Sequence, residues 1–348
     1  MKFDFAIGNP PYQEEQMSQD IDSSLKNYAP PVYHLFLDSA YKVADNVEMI
    51  HPARFLFNAG STPKKWNEKM LEDEYFKVLE YEKDSSRIFA NTVIKGGLAI
   101  TYHNKLKKFG AIHTYSQFAE ANSILRRVMR SDGYTSIDSI VFSRTSFRLT
   151  GAVHSDYPMA KNSLSEGHMY DMSSNIFQRL PFLFKNENEI KQGDVRVIGR
   201  ENNIRVYKYI ERKYINNGKN LDNYKVFIPQ ASGTGEFGEQ LGAMVIGEIG
   251  DAATETFLSV GAYGTKQEAE NTQIYLKTKF ARCLISLLKV TQIGNKPVYK
   301  YVPLQDFTSS SDIDWSKSIP EIDQQLYRKY GLTEEEIEFI ETHVKPME

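Results

Sequence analysis

Strand-like and helix-like segments alternate along the first hundred residues, and this alternation restricts the fold more than any other feature of the chain. Phe3 to Gly8 reads as a short buried strand running into a turn. VYHLFLDSAYKVA (32–44) places Val32, Leu35, Phe36, Ala40 and Val43 at helical spacing. NVEMIHP (46–52) is a strand stopped by Pro52, and residues 64–74 form a helix with Trp66 and Met70 one turn apart. YFKVLEYE (75–82) and LAITYHN (98–104) are further strands, the second entered through Lys95-Gly96-Gly97. The polar stretch leading to Pro31 reads as a loop. Such an order predicts an α/β layer with a largely parallel sheet.

Beyond about residue 110 the pattern changes. SIDSIVFS, DVRVIGR and YKVFIP read as short β segments among polar loops. KQEAENTQIYLKTKFARCLISLLKV (266–290) reads as a helical run, followed by helices in IPEIDQQLYRKYG (319–331) and TEEEIEFIETHV (333–344). Thr333 and Glu336 have the spacing of a capping box.

The first strand ends in DFAIGNPPYQ, where Asn9-Pro10-Pro11-Tyr12 follows Gly8 directly. These residue types suit one chemical problem. The exocyclic amino group of a nucleobase is a poor nucleophile because its lone pair is delocalised into the ring. Two acceptors placed on its two hydrogens favour a pyramidal nitrogen. Asn9 offers a side-chain carbonyl and Pro10 a backbone one. Prolines stiffen the turn and add no competing N–H. Tyr12 offers a flat face to a base rotated out of a duplex.

On these residues the chain resembles the DNA amino-methyltransferases of restriction–modification systems, in particular the adenine-specific γ class. Asn9-Pro10-Pro11-Tyr12 matches their motif IV, and MIHPARFLF (49–57) matches the element after motif IV in that class. DSSRIFANTVIKGGLAITYHNK (84–105) resembles the motif VIII region, which aligns Phe89 with the aromatic on the other side of the base. YKVFIPQASGTGEFGE and DIDWSKSIPEIDQQLYRKYGLTEEEIEFIE look like a target-recognition portion. The resemblance implies an α/β fold: a partial Rossmann-like methyltransferase sheet over residues 1–110, then a mixed α+β target-recognition and DNA-binding domain over 111–348. It implies methyl transfer from S-adenosylmethionine to a flipped adenine in double-stranded DNA. Asn9, Pro10, Pro11 and Tyr12 would be catalytic, and Tyr12 and Phe89 would stack on the base. No general base is assigned. The tyrosine form of the tetrapeptide leans toward adenine over cytosine.

In the γ class the donor-binding glycine turn and acidic residue precede motif IV, and here motif IV begins at residue 9. The chain is therefore expected to be a truncation, a gene fragment or one subunit of a split enzyme, with an N-terminal donor-binding half or a restriction subunit as partner. A literal G-x-G-x-x-G occurs at Gly233, Gly235 and Gly238. It reads as a loop of the recognition domain, or else as the donor loop of a permuted enzyme. The stretch after it, EQLGAMVIGEIGD, is not a convincing amphipathic helix.

Net charge is −3, which excludes a uniformly basic coat, but residues 191–230 hold 9 bases against 4 acids and residues 271–305 hold 6 bases and no acid. One basic face for DNA could therefore include Arg196, Arg200, Arg205, Lys208, Arg212, Lys213, Lys277, Lys279 and Arg282. The alternative function is a DNA sequence-specificity module with no catalysis of its own, motivated by the missing donor site. The seven histidines and one cysteine show no metal-ligand spacing, and no P-loop occurs. No apolar run approaches a membrane span. Cys283 sits in the apolar run ARCLISLLKV, where core packing and a cytoplasmic location are expected.

Overall fold

The computed structural model describes residues 2–13, 30–57, 61–90, 94, 96–216 and 218–347, as a mixed α/β chain with several small sheets. The polar stretch expected as a loop before Pro31 lies largely outside these residues. The chain divides into two compact units, Met1–Asn122 and Ser123–Glu348.

The first unit runs β1 (Phe3–Gly8), α1 (Tyr33–Val43), β2 (Ala44–Pro52), α2 (Lys64–Leu71), β3 (Phe76–Glu82) and β4 (Leu98–Asn104). The sheet order is β1-β2-β4-β3. β1 pairs in parallel with β2, from Phe3 against Ala44 to Gly8 against Met49. β4 is antiparallel to both β2 and β3. The largely parallel sheet expected from the alternation is thus corrected to a mixed one. β2 and β3 do run the same way, as a strand–helix–strand unit should. They are not neighbours, because β4 returns from the 83–97 connection and inserts between them.

Local chemistry sets these elements. α1 follows Pro30-Pro31 and buries Tyr33, Leu37 and Ala40 at helical spacing. α2 starts after Pro63 and buries Trp66 and Met70. Phe55, Leu56, Phe76 and Ala99 complete this core. β1, expected as a buried strand, is instead the terminal strand of the sheet and leaves Phe3, Phe5 and Ile7 exposed.

The second unit opens in α3 (Ala119–Arg130), which spans the division, and continues through β5 (Val141–Phe142), α4 (Gly151–Asp156) and α5 (Ile176–Arg179). Next come β6 (Val195–Glu201), β7 (Ile204–Ile210), β8 (Tyr224–Pro229), β9 (Val245–Gly247), β10 (Asp251–Ala253) and β11 (Phe257–Tyr263). They form two sheets, β10-β6-β7 and β5-β11-β8-β9. β6 and β7 join through Asn202 and Asn203, both at positive φ, the backbone that a two-residue hairpin turn demands.

The helical run read over 266–290 is two helices, α6 (Lys266–Lys277) and α7 (Lys279–Ser286). Thr278 caps α7 through the Ala281 N–H, and the buried Asp323 carboxylate accepts from the N–H groups of Lys279 and Phe280 at 3.0 and 2.9 Å. Asp323 lies in α8 (Ile319–Lys329). The expected capping box of Thr333 and Glu336 opens α9 (Glu334–His343).

Candidate functional site

Because β1, β2 and β3 point the same way, their C-terminal ends share one edge of the sheet. Asn9-Pro10-Pro11-Tyr12 leaves β1 at that edge. The segment after Pro52 and the 83–97 connection leave β2 and β3 there too. Open sheets of this kind place ligands at such an edge.

The tetrapeptide is held from behind. A Cβ at Gly8 would press on Met49 Sδ at 3.1 Å, so the backbone of β1 comes close to β2 where the motif starts. Pro10 is buried, Asn9 and Pro11 are exposed, and Tyr12 is half-buried. The Tyr12 carbonyl accepts from the Val32 N–H at 3.2 Å, which ties the turn to the start of α1. The Tyr12 hydroxyl is enclosed and has no partner among the described residues, and burial raises its pKa. Asn9 is therefore exposed at this edge while the buried Pro10 anchors the turn.

Beneath this edge lies an aromatic and histidine cluster that the sequence does not single out. Tyr33 stacks on His51 with ring centres 5.4 Å apart and planes within 7°. His51 Nδ1 lies 3.2 Å from the Pro52 carbonyl and Nε2 lies 2.8 Å from Thr101 Oγ1. A carbonyl cannot donate, so Nδ1 carries the hydrogen and Nε2 accepts from the threonine. Burial lowers the His51 pKa to about 4, so the ring is neutral. Burial also pushes the Tyr33 phenol up to about 12, against a hydrogen bond with Thr62 and the charge of Arg54. The available signal was the MIHPARF stretch, but a histidine one residue before proline looks like any core residue.

Phe89 is half-buried in a turn whose N–H donates to the Ser85 carbonyl at 2.9 Å. Asp84 caps that turn through Ser86. The connection closes at Gly96 and Gly97, both at positive φ, and the Gly97 carbonyl accepts from the Ala53 N–H at 3.0 Å. A Cβ on Gly97 would overlap the Glu82 carbonyl. Topology therefore brings Phe89 and the tetrapeptide to the same edge of the sheet.

The cations expected to face DNA are for the most part engaged inside the second unit. Arg196 forms a two-pronged pair with Asp251, and Arg212 and Lys213 pair with Asp222 and Asp156 at 2.9 and 2.7 Å. Arg205 donates to the Ala243 carbonyl at 2.6 Å, and Lys208 to Asn186 Oδ1 at 2.8 Å. Lys279 is paired with Glu341. Arg200 and Lys277 are half-buried with no side-chain ion pair among the described residues. Arg282 requires a correction: it is 1% exposed and donates to the carbonyls of Lys277, Gly238, Glu239 and Lys345. Burial lowers its pKa to about 10. It ties α7 to the glycine loop and to the chain end, and offers nothing to a phosphate.

The glycine loop is likewise filled from within. Gly233, Gly235 and Gly238 all have positive φ, as a tight anion-cradling loop would. Its occupant is the protein's own Glu239. That carboxylate accepts from the N–H groups of Thr234 at 2.7 Å and Gly235 at 3.0 Å, and pairs with the buried Lys289. Burial pushes the Glu239 carboxyl up, but Lys289 and the two amides outweigh it and hold it below the ordinary range. The Gly238 N–H donates to Ser286 Oγ. The Thr234, Gly235 and Gly238 amides are thus already engaged and a carboxylate fills the loop, so the loop does not fit a methyl donor that carries its own carboxylate. Among the described residues no cluster of histidine, cysteine and acidic side chains could hold a metal ion, and no helix is long and apolar enough to cross a membrane.

Residues 1–89 match a family described as Eco57I restriction-modification methylase. The matched stretch includes the tetrapeptide and ends at Phe89. No curated protein matches the chain. Among solved structures, the type IIG restriction endonuclease BpuSI is similar with a TM-score of 0.31 and 12% identity, over 98% of this chain and 54% of that one. The chain thus spans about half the length of that protein.

Proposed function

We propose that the chain carries the target-base pocket of a site-specific DNA adenine methyltransferase from a restriction–modification system. The observation that carries this reading is the tetrapeptide at the strand-end edge: Asn9 is exposed, Pro10 is packed, and Tyr12 has an enclosed hydroxyl. Similarity of residues 1–89 to restriction–modification methylases supports it.

In this reading an adenine leaves the duplex and enters between Tyr12 and Phe89, offsetting its unstacking with new ring contacts. Asn9 Oδ1 and the Pro10 carbonyl accept from the two amino hydrogens. These bonds strengthen as the nitrogen pyramidalises, so they act on the barrier more than on binding. Pro11 keeps the turn stiff. The amino proton leaves after transfer, so no side chain is assigned to remove it. The expected donor is S-adenosylmethionine. The glycine loop, filled by Glu239, does not fit it, and no step is routed through it.

That misfit favours a second reading, a DNA-specificity module without catalysis. One assay separates the two. Methyl transfer from labelled S-adenosylmethionine to mixed-sequence DNA is followed together with DNA binding. Under the methyltransferase reading, in a donor-competent form of the enzyme, Asn9→Ala lowers the single-turnover rate by roughly 10²–10³ and leaves DNA affinity intact. An Asn9→Ala protein that methylates at the wild-type rate refutes the assigned role. Selective DNA binding with no methylation even when the donor-binding half is supplied favours the second reading.

A further inference from the structure

We infer that DNA phosphates are held in a basic cleft of the second unit, between the end of α3 and the turn joining α8 to α9. The inference rests on the methyltransferase reading, which makes DNA the partner. The cleft encloses about 770 Å³ and is lined by Arg127, Arg130, Arg328 and Lys329, with Asp132 as the acid in its wall. A smaller adjoining hollow of about 270 Å³ adds Arg126 and shares Arg127 and Arg130.

The sequence does not advertise this site, because its cations come from two distant segments. α3 ends LRRVMR, which sets Arg126 and Arg130 one turn apart on the same face, with Arg127 beside them. Arg328 and Lys329 end α8, in the acid-rich stretch 306–348. The fold joins the two. Arg127 is the strut: its Nε donates to Glu336 at 2.9 Å and its Nη1 to the Gly331 carbonyl at 3.2 Å. The floor is pinned by the Leu304 N–H on the Thr135 carbonyl at 2.7 Å. Gly133 and Gly331 turn at its rim with positive φ and open space where a Cβ would stand.

The contrast with the 191–230 segment decides the assignment. There, Arg196, Arg212 and Lys213 are each matched by an aspartate, so their field is locally cancelled. In the cleft, Lys329 is matched by Asp312 and Arg127 by Glu336. Arg126 and Arg328 are exposed with no side-chain ion pair among the described residues. Partial desolvation and then the neighbouring charge of Arg130 lower the Arg126 pKa, with Arg127 adding to the repulsion and Glu336 opposing it. Cations crowded in this way are relieved by a bound anion. The cleft is open and polar, which suits a phosphodiester chain crossing it and does not suit an apolar ligand.

The test measures binding of the full chain to duplex DNA across a salt series. Removing one cation that neutralises a phosphate flattens the slope of log K against log salt by about 0.9. R126A/R328A is expected to flatten it by roughly 1.8, and R328A alone by about half as much. R126K/R328K keeps the charge and should keep the slope. R212A/K213A, on the paired segment, should leave it unchanged. An unchanged slope in a folded R126A/R328A or R328A protein overturns the cleft while leaving DNA binding standing. A lysine variant as flat as the alanine variant overturns a charge-based interaction. Absence of DNA binding by the unaltered protein at low salt overturns the DNA partner itself, and the cleft's occupant with it.

Discussion

Replacing Glu239 by alanine should unfold the second unit at markedly lower denaturant. The carboxylate is 9% exposed and its partner Lys289 is 3% exposed, so removing one charge leaves the other buried. Breaking such a pair costs about 3–5 kcal/mol. Lys289 keeps the carbonyls of Ser232 at 2.9 Å and Thr291 at 3.2 Å, which favours the lower end. The Thr234 and Gly235 amides lose a charged acceptor, each worth about 1.5–3 kcal/mol when dry, but a truncated side chain admits water to them. These contributions share one network and do not add, so a loss of about 3–4 kcal/mol is expected. Urea unfolding at pH 7 reads this directly. The stability is present above the ordinary glutamate pKa and fades as acid protonates the carboxyl, so the gap between wild type and variant should narrow at low pH. A loss below about 1 kcal/mol would refute the filled loop. Glycines open to a ligand would then have to be reconsidered.

Three more outcomes are expected from the packing. His51 titrates near 4 when folded and near 6.5 when unfolded, so the first unit should lose up to about 3 kcal/mol as pH falls from 6.5 towards 4. His51→Gln should flatten that dependence in urea titrations at pH 7 and 4.5. Lys225→Met should cost roughly 2–4 kcal/mol in thermal or urea unfolding, because the carbonyls of Leu221, Glu248 and Asp251 lose their shared buried donor. Gly97→Ala should destabilise the first unit by about 1–3 kcal/mol, since φ is +75° and the new methyl meets the Glu82 carbonyl; an unchanged unfolding midpoint would contradict that geometry.

The existence of the helices in the first unit was legible because periodicity is local, and Trp66 and Met70 mark a buried face as expected. The face of α1 was misjudged: of the apolar set Val32, Leu35, Phe36, Ala40 and Val43 only Ala40 is buried, while Leu35, Phe36 and Val43 are exposed and Tyr33 and Leu37 face the core. Strand order was not legible. Nothing within LAITYHN states that it will slide between β2 and β3, because pairing is decided by residues some twenty to fifty positions away. The break at Thr278 was hidden for the same reason, since Asp323 arrives from another helix. Charge runs misled most. Arg282 looked like part of a basic face and is a buried tie, while Arg126 and Arg328 line adjoining hollows although they lie in segments of different net charge. The tetrapeptide stands out in the sequence because its four residues are consecutive, whereas Tyr33 and His51 meet only in the fold.

The outer side of β1 has a practical consequence. Among the described residues no strand pairs with its outer side, and Phe3, Phe5 and Ile7 stand out at 50%, 66% and 77% exposure. A strand of this kind is a template on which any extended segment can add, including the same strand of a second molecule. Concentrating the protein therefore invites edge-to-edge aggregation, which the charges of Lys2 and Asp4 along the strand oppose. Handling conditions, rather than chemistry, would then set the upper limit on concentration in binding, methylation and unfolding measurements alike.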